Sequence, residues 1–339
     1  MSSEERIRIA MFGAGRIGKV HATNIAENAS VELAWICDPF IEGANTLAAG
    51  TGARTTTSAD DVFGDDTVRA IIIGSPTNTH IDLISRAQSQ GIAVLCEKPI
   101  DLDIERVREY QRQIPDNGAP FMLGFNRRFD PSYASIHARV AAGEIGKLEQ
   151  LVITSRDPAP APPGYIATSG GIFRDMTIHD LDLARFFVPE IVEVRAVGSN
   201  LFCDYIEEAG DYDAAAVVLR GSGGEIVTIT NSRRCVFGYD QRLEAFGSEG
   251  MLAASNVTPT TVLSYTGEVT AAREPYLPFF LERYADSYKV ELDRFVNSIQ
   301  TGAACKPDFQ DGVEALVLAN AALESAQTGK TVTLAQKVS

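Results

Sequence analysis

Residues 170–187 read GGIFRDMTIHDLDLARFF and set Arg174, Asp175, His179, Asp180, Asp182 and Arg185 among large apolar side chains. At 3.6 residues per helical turn, Asp175, His179 and Asp182 stand at i, i+4 and i+7, on one narrow stripe. Ile172, Met176, Leu183 and Phe186 project close to that same stripe. An ordinary amphipathic helix keeps its charges opposite its apolar arc, because unpaired charge aimed at packed protein is costly. The pattern therefore has two readings. One is a structural ion-pair or capping network; the other is a wall of an active site, where an imidazole takes a proton near neutral pH and a carboxylate orients it. A second candidate is Lys98 in CEKPI (96–100), held between an apolar run and a proline. A lysine partly desolvated beside a ligand can act in acid–base chemistry.

Such residues need a frame. The first 125 or so residues alternate short β-rich runs (6–12, 31–38, 69–75, 92–98 and 119–125) with helical patterns, among them THIDLISRAQSQG and DIERVREYQRQI. Ile- and Val-rich runs separated by helices predict a doubly wound parallel sheet. After Phe129 the pattern changes. A helix near 131–142 leads to a strand at 148–156, a proline-rich loop at 157–165 and the 170–187 helix. The strands IVEVRAVG, DAAAVVLR, EIVTITNSR, RLEAFGS and TVLSY then follow one another through short turns such as GSGG and GSEG, which predicts a mostly antiparallel sheet. Two helical patterns, near 279–300 and 309–328, close the chain. The expectation is an α/β domain over 1–123 and an α+β domain over 124–339, with room for the terminal helices to pack back on the first.

The glycine turn after the first strand reads GAGRIG, with Gly13, Ala14, Gly15, Arg16, Ile17 and Gly18 matching G-x-G-x-x-G in the strand–turn–helix context the motif requires. Gly13 permits the tight turn, Gly15 lets backbone approach a pyrophosphate, and Gly18 lets helix pack on strand. The helix N-terminus offers free N–H groups to phosphate. Asp38 ends the second strand 20 residues after Gly18, where a carboxylate grips a ribose 2′-hydroxyl and repels a 2′-phosphate. The dinucleotide expected is NAD rather than NADP. Ser75, Pro76, Asn78 and His80 in GSPTNTH, with Glu97 and Lys98, lie at the C-terminal ends of later strands, where ligands of such sheets bind.

Composition narrows the partners. Two domains suit 339 residues, and no apolar run approaches the roughly 20 residues a membrane span needs. A net charge of −15 argues against nucleic acid and anionic membranes, and is compatible with a neutral substrate. Cys37, Cys96, Cys203, Cys235 and Cys305 are odd in number and widely spaced, as expected of reduced packing residues in a cytoplasmic protein. The N-terminal MSSEERIRIAMFGAG does not read as a signal peptide. Four histidines without ligand spacing predict no metal site. His21 and His80 lie near the cofactor edge and His137 on a surface helix, none with a catalytic assignment. REYQRQIPD reads as a solvated helix face, and Arg233 and Arg234 as partners of acids at a sheet or subunit contact.

The Rossmann start, EKP after the fifth strand, GFNRRFDP (124–131) and GGIFRDMTIHDLDLARFF together resemble the glucose-fructose oxidoreductase and inositol dehydrogenase family over essentially the whole chain. GRIGKVHA, SRDP, RDMTIHD and NSRRCVFGYDQR resemble its myo-inositol-oxidising branch. The resemblance implies NAD⁺-dependent oxidation of myo-inositol to the 2-keto compound, scyllo-inosose. It implies Lys98, Asp175 and His179 as the catalytic set. For the polyol it implies Asp182, Tyr239 and an arginine after GFN (Arg127 or Arg128), alongside the catalytic residues. Some relatives carry a substrate-contacting histidine where this chain has Arg156, Asp157 and prolines, so Asp157 stands as the contact there. The family's open sheet commonly mediates subunit contacts, implying a homotetramer built as a dimer of dimers. Competing readings are a dehydrogenase of another polyol or aldose (scyllo-inositol, D-chiro-inositol, glucose), a glycoside hydrolase using bound NAD⁺, and a non-catalytic NAD sensor.

Overall fold

A computed structural model describes residues 6–115 and 117–335. The first five residues, part of the stretch weighed against a signal peptide, and Asp116 of REYQRQIPD lie outside the described residues.

The chain divides into two compact units, Met1–Phe129 with Asp286–Glu314, and Asp130–Ala285 with Ala315–Ser339. The division differs from a single cut between 123 and 124, because Asp286–Glu314 belongs with the first unit. The reason is apolar burial: Leu292, Phe295 and Val296 of the helix Ala285–Thr301 join Ile9, Met11, Ile25 and Ile72 in one core.

The first unit is built on six strands, β1 (Ile7–Phe12), β2 (Val31–Cys37), β3 (Arg54–Thr56), β4 (Ala70–Ile73), β5 (Ala93–Glu97) and β6 (Phe121–Gly124). They are all parallel, in the order β3-β2-β1-β4-β5-β6. This is the Rossmann order, with its crevice at the switch point between β1 and β4, whose connections run outward in opposite directions along the sheet. Ala70–Ile73 is fully buried, as expected of a central strand covered on both faces. In register, Phe12 lies beside Ile73, Ile73 beside Cys96 and Cys96 beside Leu123. The glycine turn, the Ser75 loop, Glu97–Lys98 and Gly124 therefore leave the sheet at one edge.

The second unit carries a seven-stranded sheet of β7 (Leu148–Arg156), β8 (Ile191–Ser199), β9 (Ala214–Gly221), β10 (Ile226–Ser232), β11 (Asp240–Gly247), β12 (Gly250–Ala254) and β13 (Val332–Thr333), in the order β12-β11-β7-β10-β9-β8-β13. Every pairing is antiparallel except β7 with β10. Two expectations fail. TVLSY (261–265) is not a strand; Ser264 makes one isolated bridge to Ala272, and Val262 and Tyr265 stay exposed, so its alternation has no core to face. The 170–187 helix is two helices, Ile172–Asp175 and Thr177–Phe187, meeting at Met176. Each piece has its own anchor. Ile172 N donates to Asp211 Oδ1 at 2.7 Å, and Thr177 Oγ1 donates to Asn231 Oδ1 at 2.8 Å.

Candidate active site

The candidate residues fall on both units. On the first, the glycine turn has the shape a dinucleotide needs. Gly13 has φ +99, and a Cβ there would lie 2.6 Å from the Gly74 carbonyl oxygen. A Cβ on Gly18 would lie 2.2 Å from the Gly13 carbonyl oxygen, so that glycine is required for helix to pack on turn. Gly15, at the N-terminus of the helix Arg16–Glu27, is exposed with nothing within 4 Å of an added Cβ, leaving its backbone open to a ligand. These positions fit a pyrophosphate on the first-turn N–H groups.

Asp38 is fixed beside this turn. Its Oδ2 accepts from Ala14 N at 2.7 Å and its Oδ1 from Phe40 N at 2.8 Å. Two backbone donors hold the carboxylate, in a position to accept from a ribose diol. Asp38→Ala is expected to raise the KM for NAD⁺ about tenfold to a hundredfold, the cost of losing a charged hydrogen bond, and to narrow the preference over NADP⁺. Initial rates with both cofactors check this.

Ser75 and Lys98 are partly buried, Pro76 and Asn78 exposed. His80 is buried, with Nδ1 2.8 Å from the Pro99 carbonyl oxygen and Nε2 2.9 Å from that of Ser75. Burial pushes its pKa down against the pull of the two carbonyls. Its ring ties the Ser75 loop to the Lys98–Pro99 turn. Arg127 is buried in the short turn Asn126–Phe129. His21 lies under the sheet edge, bonded to Glu97 at 2.9 Å.

On the second unit, strand register gathers the other residues. Arg156 of β7 lies beside Ser232 of β10 and Asp240 of β11. Asp157, Arg233 and Tyr239, each next to one of these, therefore sit together at one sheet end. Asp240, fully buried, takes Arg156 on one oxygen at 2.7 Å and Arg242 through both. Tyr239 is buried edge-on to Phe279 and Tyr284.

Arg233, only 1% exposed, donates to Asp175 Oδ2 at 3.3 Å and to Asp211 Oδ2 at 3.2 Å. The Tyr165 hydroxyl donates to Asp175 Oδ1 at 2.8 Å, and burial together with that carboxylate pushes its phenol pKa up. Asp175 is thus held through both oxygens, four residues before His179 and across the break at Met176. Asn231 Nδ2 donates to Asp180 Oδ2 at 2.8 Å and pins the helix Thr177–Phe187 to β10. Asp180 belongs to the fold, while Asp182 is buried two residues further on. Arg233 pairs with acids at the sheet end as expected; Arg234 instead lays its guanidinium 4.0 Å over Phe202. His137 is half-buried and stacks on Phe186 at 3.6 Å.

Sequence reasoning missed Tyr165, Asp211 and the supporting role of Arg233. Tyr165 closes the proline-rich loop ten residues before Asp175, a position a sequence could flag; Asp211 had no local signal.

The chain matches two family models, "Oxidoreductase family, NAD-binding Rossmann fold" over residues 7–125 and "GFO/IDH/MocA C-terminal domain" over residues 133–253. It is 43% identical to an inositol 2-dehydrogenase of Rhizobium meliloti, over 97% of this chain and 99% of that protein. It resembles the crystal structure of a myo-inositol dehydrogenase from Corynebacterium glutamicum, with a TM-score of 0.95 and 62% identity over 98% of this chain and 100% of that one. A scyllo-inositol dehydrogenase from Lactobacillus casei, solved with NAD(H) and scyllo-inositol, matches with a TM-score of 0.89 and 30% identity over 97% of this chain and 99% of that one.

Proposed function

The chain belongs to the GFO/IDH/MocA oxidoreductase family, and from that premise we propose that it oxidises myo-inositol to 2-keto-myo-inositol (scyllo-inosose), with NAD⁺ as hydride acceptor. The observation that carries the reading is the carboxylate of Asp175, held on both oxygens four residues before His179. Full-length similarity to an inositol 2-dehydrogenase supports the substrate.

When bound, NAD⁺ supplies the hydride-accepting carbon. His179 takes the proton of the reacting hydroxyl. Asp175 orients the imidazole and stabilises the cation it becomes. Lys98 donates a hydrogen bond to the reacting oxygen and favours its alkoxide character. Arg127, Asp157, Asp182 and Tyr239 hold the remaining ring hydroxyls. A neutral polyol offers no charge to grip, so isomers are told apart by directed hydrogen bonds, each unmet buried group costing about 1–3 kcal/mol.

The assembly in this reading is a homotetramer in the cytoplasm. Val152, Val218, Ile226, Phe246 and Met251 stand exposed on one face of the second sheet, a surface suited to a second copy. All five cysteines are free thiols, in keeping with a reducing compartment. Among the described residues no helix is long and apolar enough to cross a membrane.

The test compares NADH formation from myo-inositol, scyllo-inositol, D-chiro-inositol and glucose under NAD⁺ and NADP⁺. The fastest turnover is expected with myo-inositol and NAD⁺. A faster rate with scyllo-inositol would keep the mechanism and change the substrate, an outcome the Lactobacillus casei likeness makes worth measuring. No NADH from any polyol, with NAD⁺ binding demonstrated, would overturn the reading.

A further inference from the structure

Near the glycine turn of the first unit, three acid–base side chains meet largely out of solvent, and the mechanism above uses none of their protons. His21 comes from the helix Arg16–Glu27, Glu97 from the end of β5, and Glu291 from the helix Ala285–Thr301. One imidazole nitrogen and one oxygen of each carboxylate all lie within 4.8 Å of one another. His21 and Glu291 are 1% and 0% exposed.

Glu97 is clamped from two sides. His21 Nε2 lies 2.9 Å from its Oε1. On the other side it packs against Gly124, its partner in register on β6; a Cβ there would come within 3.0 Å of Oε2 and 3.2 Å of the Glu97 Cα. Glu291 is different. Both its oxygens are inaccessible and neither has a hydrogen-bond partner among the described residues. Ser287, one turn earlier on the same helix, and Asn24, one turn after His21, also carry buried polar atoms without partners. Among the described residues, His21 from the glycine-turn helix and Glu97 from β5 face Glu291, and Tyr288 of its own helix lies edge-on to the His21 ring at 5.8 Å.

A buried carboxylate and a partly buried one this close cannot both hold a charge cheaply. A proton or a cation must offset one of them. Burial, and then the charge of Glu97, push the Glu291 carboxyl well above its ordinary pKa. The proton offsets the charge without the desolvation of a metal ion.

We propose that Glu291 is kept as the neutral acid beside Glu97, so that His21, Glu97 and Glu291 form a proton-holding cluster that positions Lys98. Glu97 immediately precedes Lys98 at the end of β5. A neutral Glu291 removes the repulsion that would push the Glu97 side chain off Gly124, and with it the backbone from which Lys98 departs. Glu291 is in this sense a positioning residue. The protonation stands by itself; only its consequence for Lys98 rests on the function proposed above.

Infrared difference spectroscopy of the purified enzyme at pH 7, wild type minus E291Q, tests the protonation. The carbonyl stretch of a neutral carboxylic acid is expected in wild type and absent from E291Q. Its absence from wild type would overturn the proposal. So would a near-stoichiometric divalent ion, found by elemental analysis of wild type and lost in E291Q, which would make the cluster a metal site. Kinetics test the positioning. E291Q, whose amide copies the shape of the neutral acid, is expected to keep kcat within about threefold. E291A is expected to lose about tenfold or more in kcat with the KM for NAD⁺ unchanged, since small misplacements of a reacting group are costly. Equal loss in both variants, or none in E291A, would overturn the positioning. A wild-type enzyme without polyol turnover would sink the proposed function instead, and the spectrum would still decide the proton.

Discussion

Replacing His179 by alanine is expected to lower kcat for polyol oxidation about 10²- to 10⁴-fold, the usual worth of a positioned general base, while NAD⁺ binding survives. The two effects separate because the residues have different homes. The glycine turn and Asp38, which fit the dinucleotide, lie on the first unit, and His179 lies on the second. Lys98→Ala is expected to cost a similar factor in kcat, through loss of the donor to the reacting oxygen. Asp175→Asn keeps the shape but removes the charge proposed to stabilise the imidazolium, so its loss should appear in kcat more than in KM. Steady-state rates with myo-inositol, alongside calorimetric titration of NAD⁺, read both quantities. Turnover within a few-fold of wild type in His179→Ala would remove that residue from the chemistry.

Arg233→Ala is expected to damage stability and activity together. The guanidinium is almost wholly buried and sits between Asp175, itself 14% exposed, and Asp211 at 8%. Taking away one partner of a buried ion pair typically costs about 3–5 kcal/mol, because the charges left behind stay desolvated. Here two carboxylates lose the same partner. Asp211 also accepts from Ile172 N at the start of the short helix that carries Asp175, so its displacement would move the carboxylate proposed to orient His179 as well. The expected result is a urea midpoint shifted well down with the slope unchanged, and a fall in kcat. Arg233→Lys, a point charge in place of a fork, should recover only part of either. Asp211→Asn introduced into Arg233→Ala should restore some stability by removing one of the stranded charges. A midpoint unchanged in Arg233→Ala would show that the pairing contributes nothing net.

Much of the fold was legible because its signals are local. The β-rich runs at 6–12, 31–38, 69–75, 92–98 and 119–125 contain β1, β2, β4, β5 and β6, since Ile- and Val-rich segments buried on both faces leave an unbroken apolar run. β3, three residues long, left no such trace; it exists through its pairing with β2. TVLSY had the alternation of a strand but only a single bridge, from Ser264 to Ala272, and β12 had a partner, β11, without a distinctive pattern. The helix break at Met176 was equally hidden, because the periodicity of 170–187 continues across it while the anchors that divide it, Asp211 and Asn231, come from later in the chain.

The same division holds for chemistry. The sequence by itself determined the glycine turn, the acidic residue that closes the second strand, the lysine before proline and the Asp175–His179 spacing. Backbone sterics and helical period act within a few residues, and these features need nothing more. Only the tertiary structure decided what surrounds them. Arg233 reaches Asp175 across 58 positions, and His21 reaches Glu97 across 76, through strand order and register that no local pattern encodes. Burial then gave those meetings their energetic meaning: a charge that water would screen must, inside the protein, find a counter-charge or keep its proton.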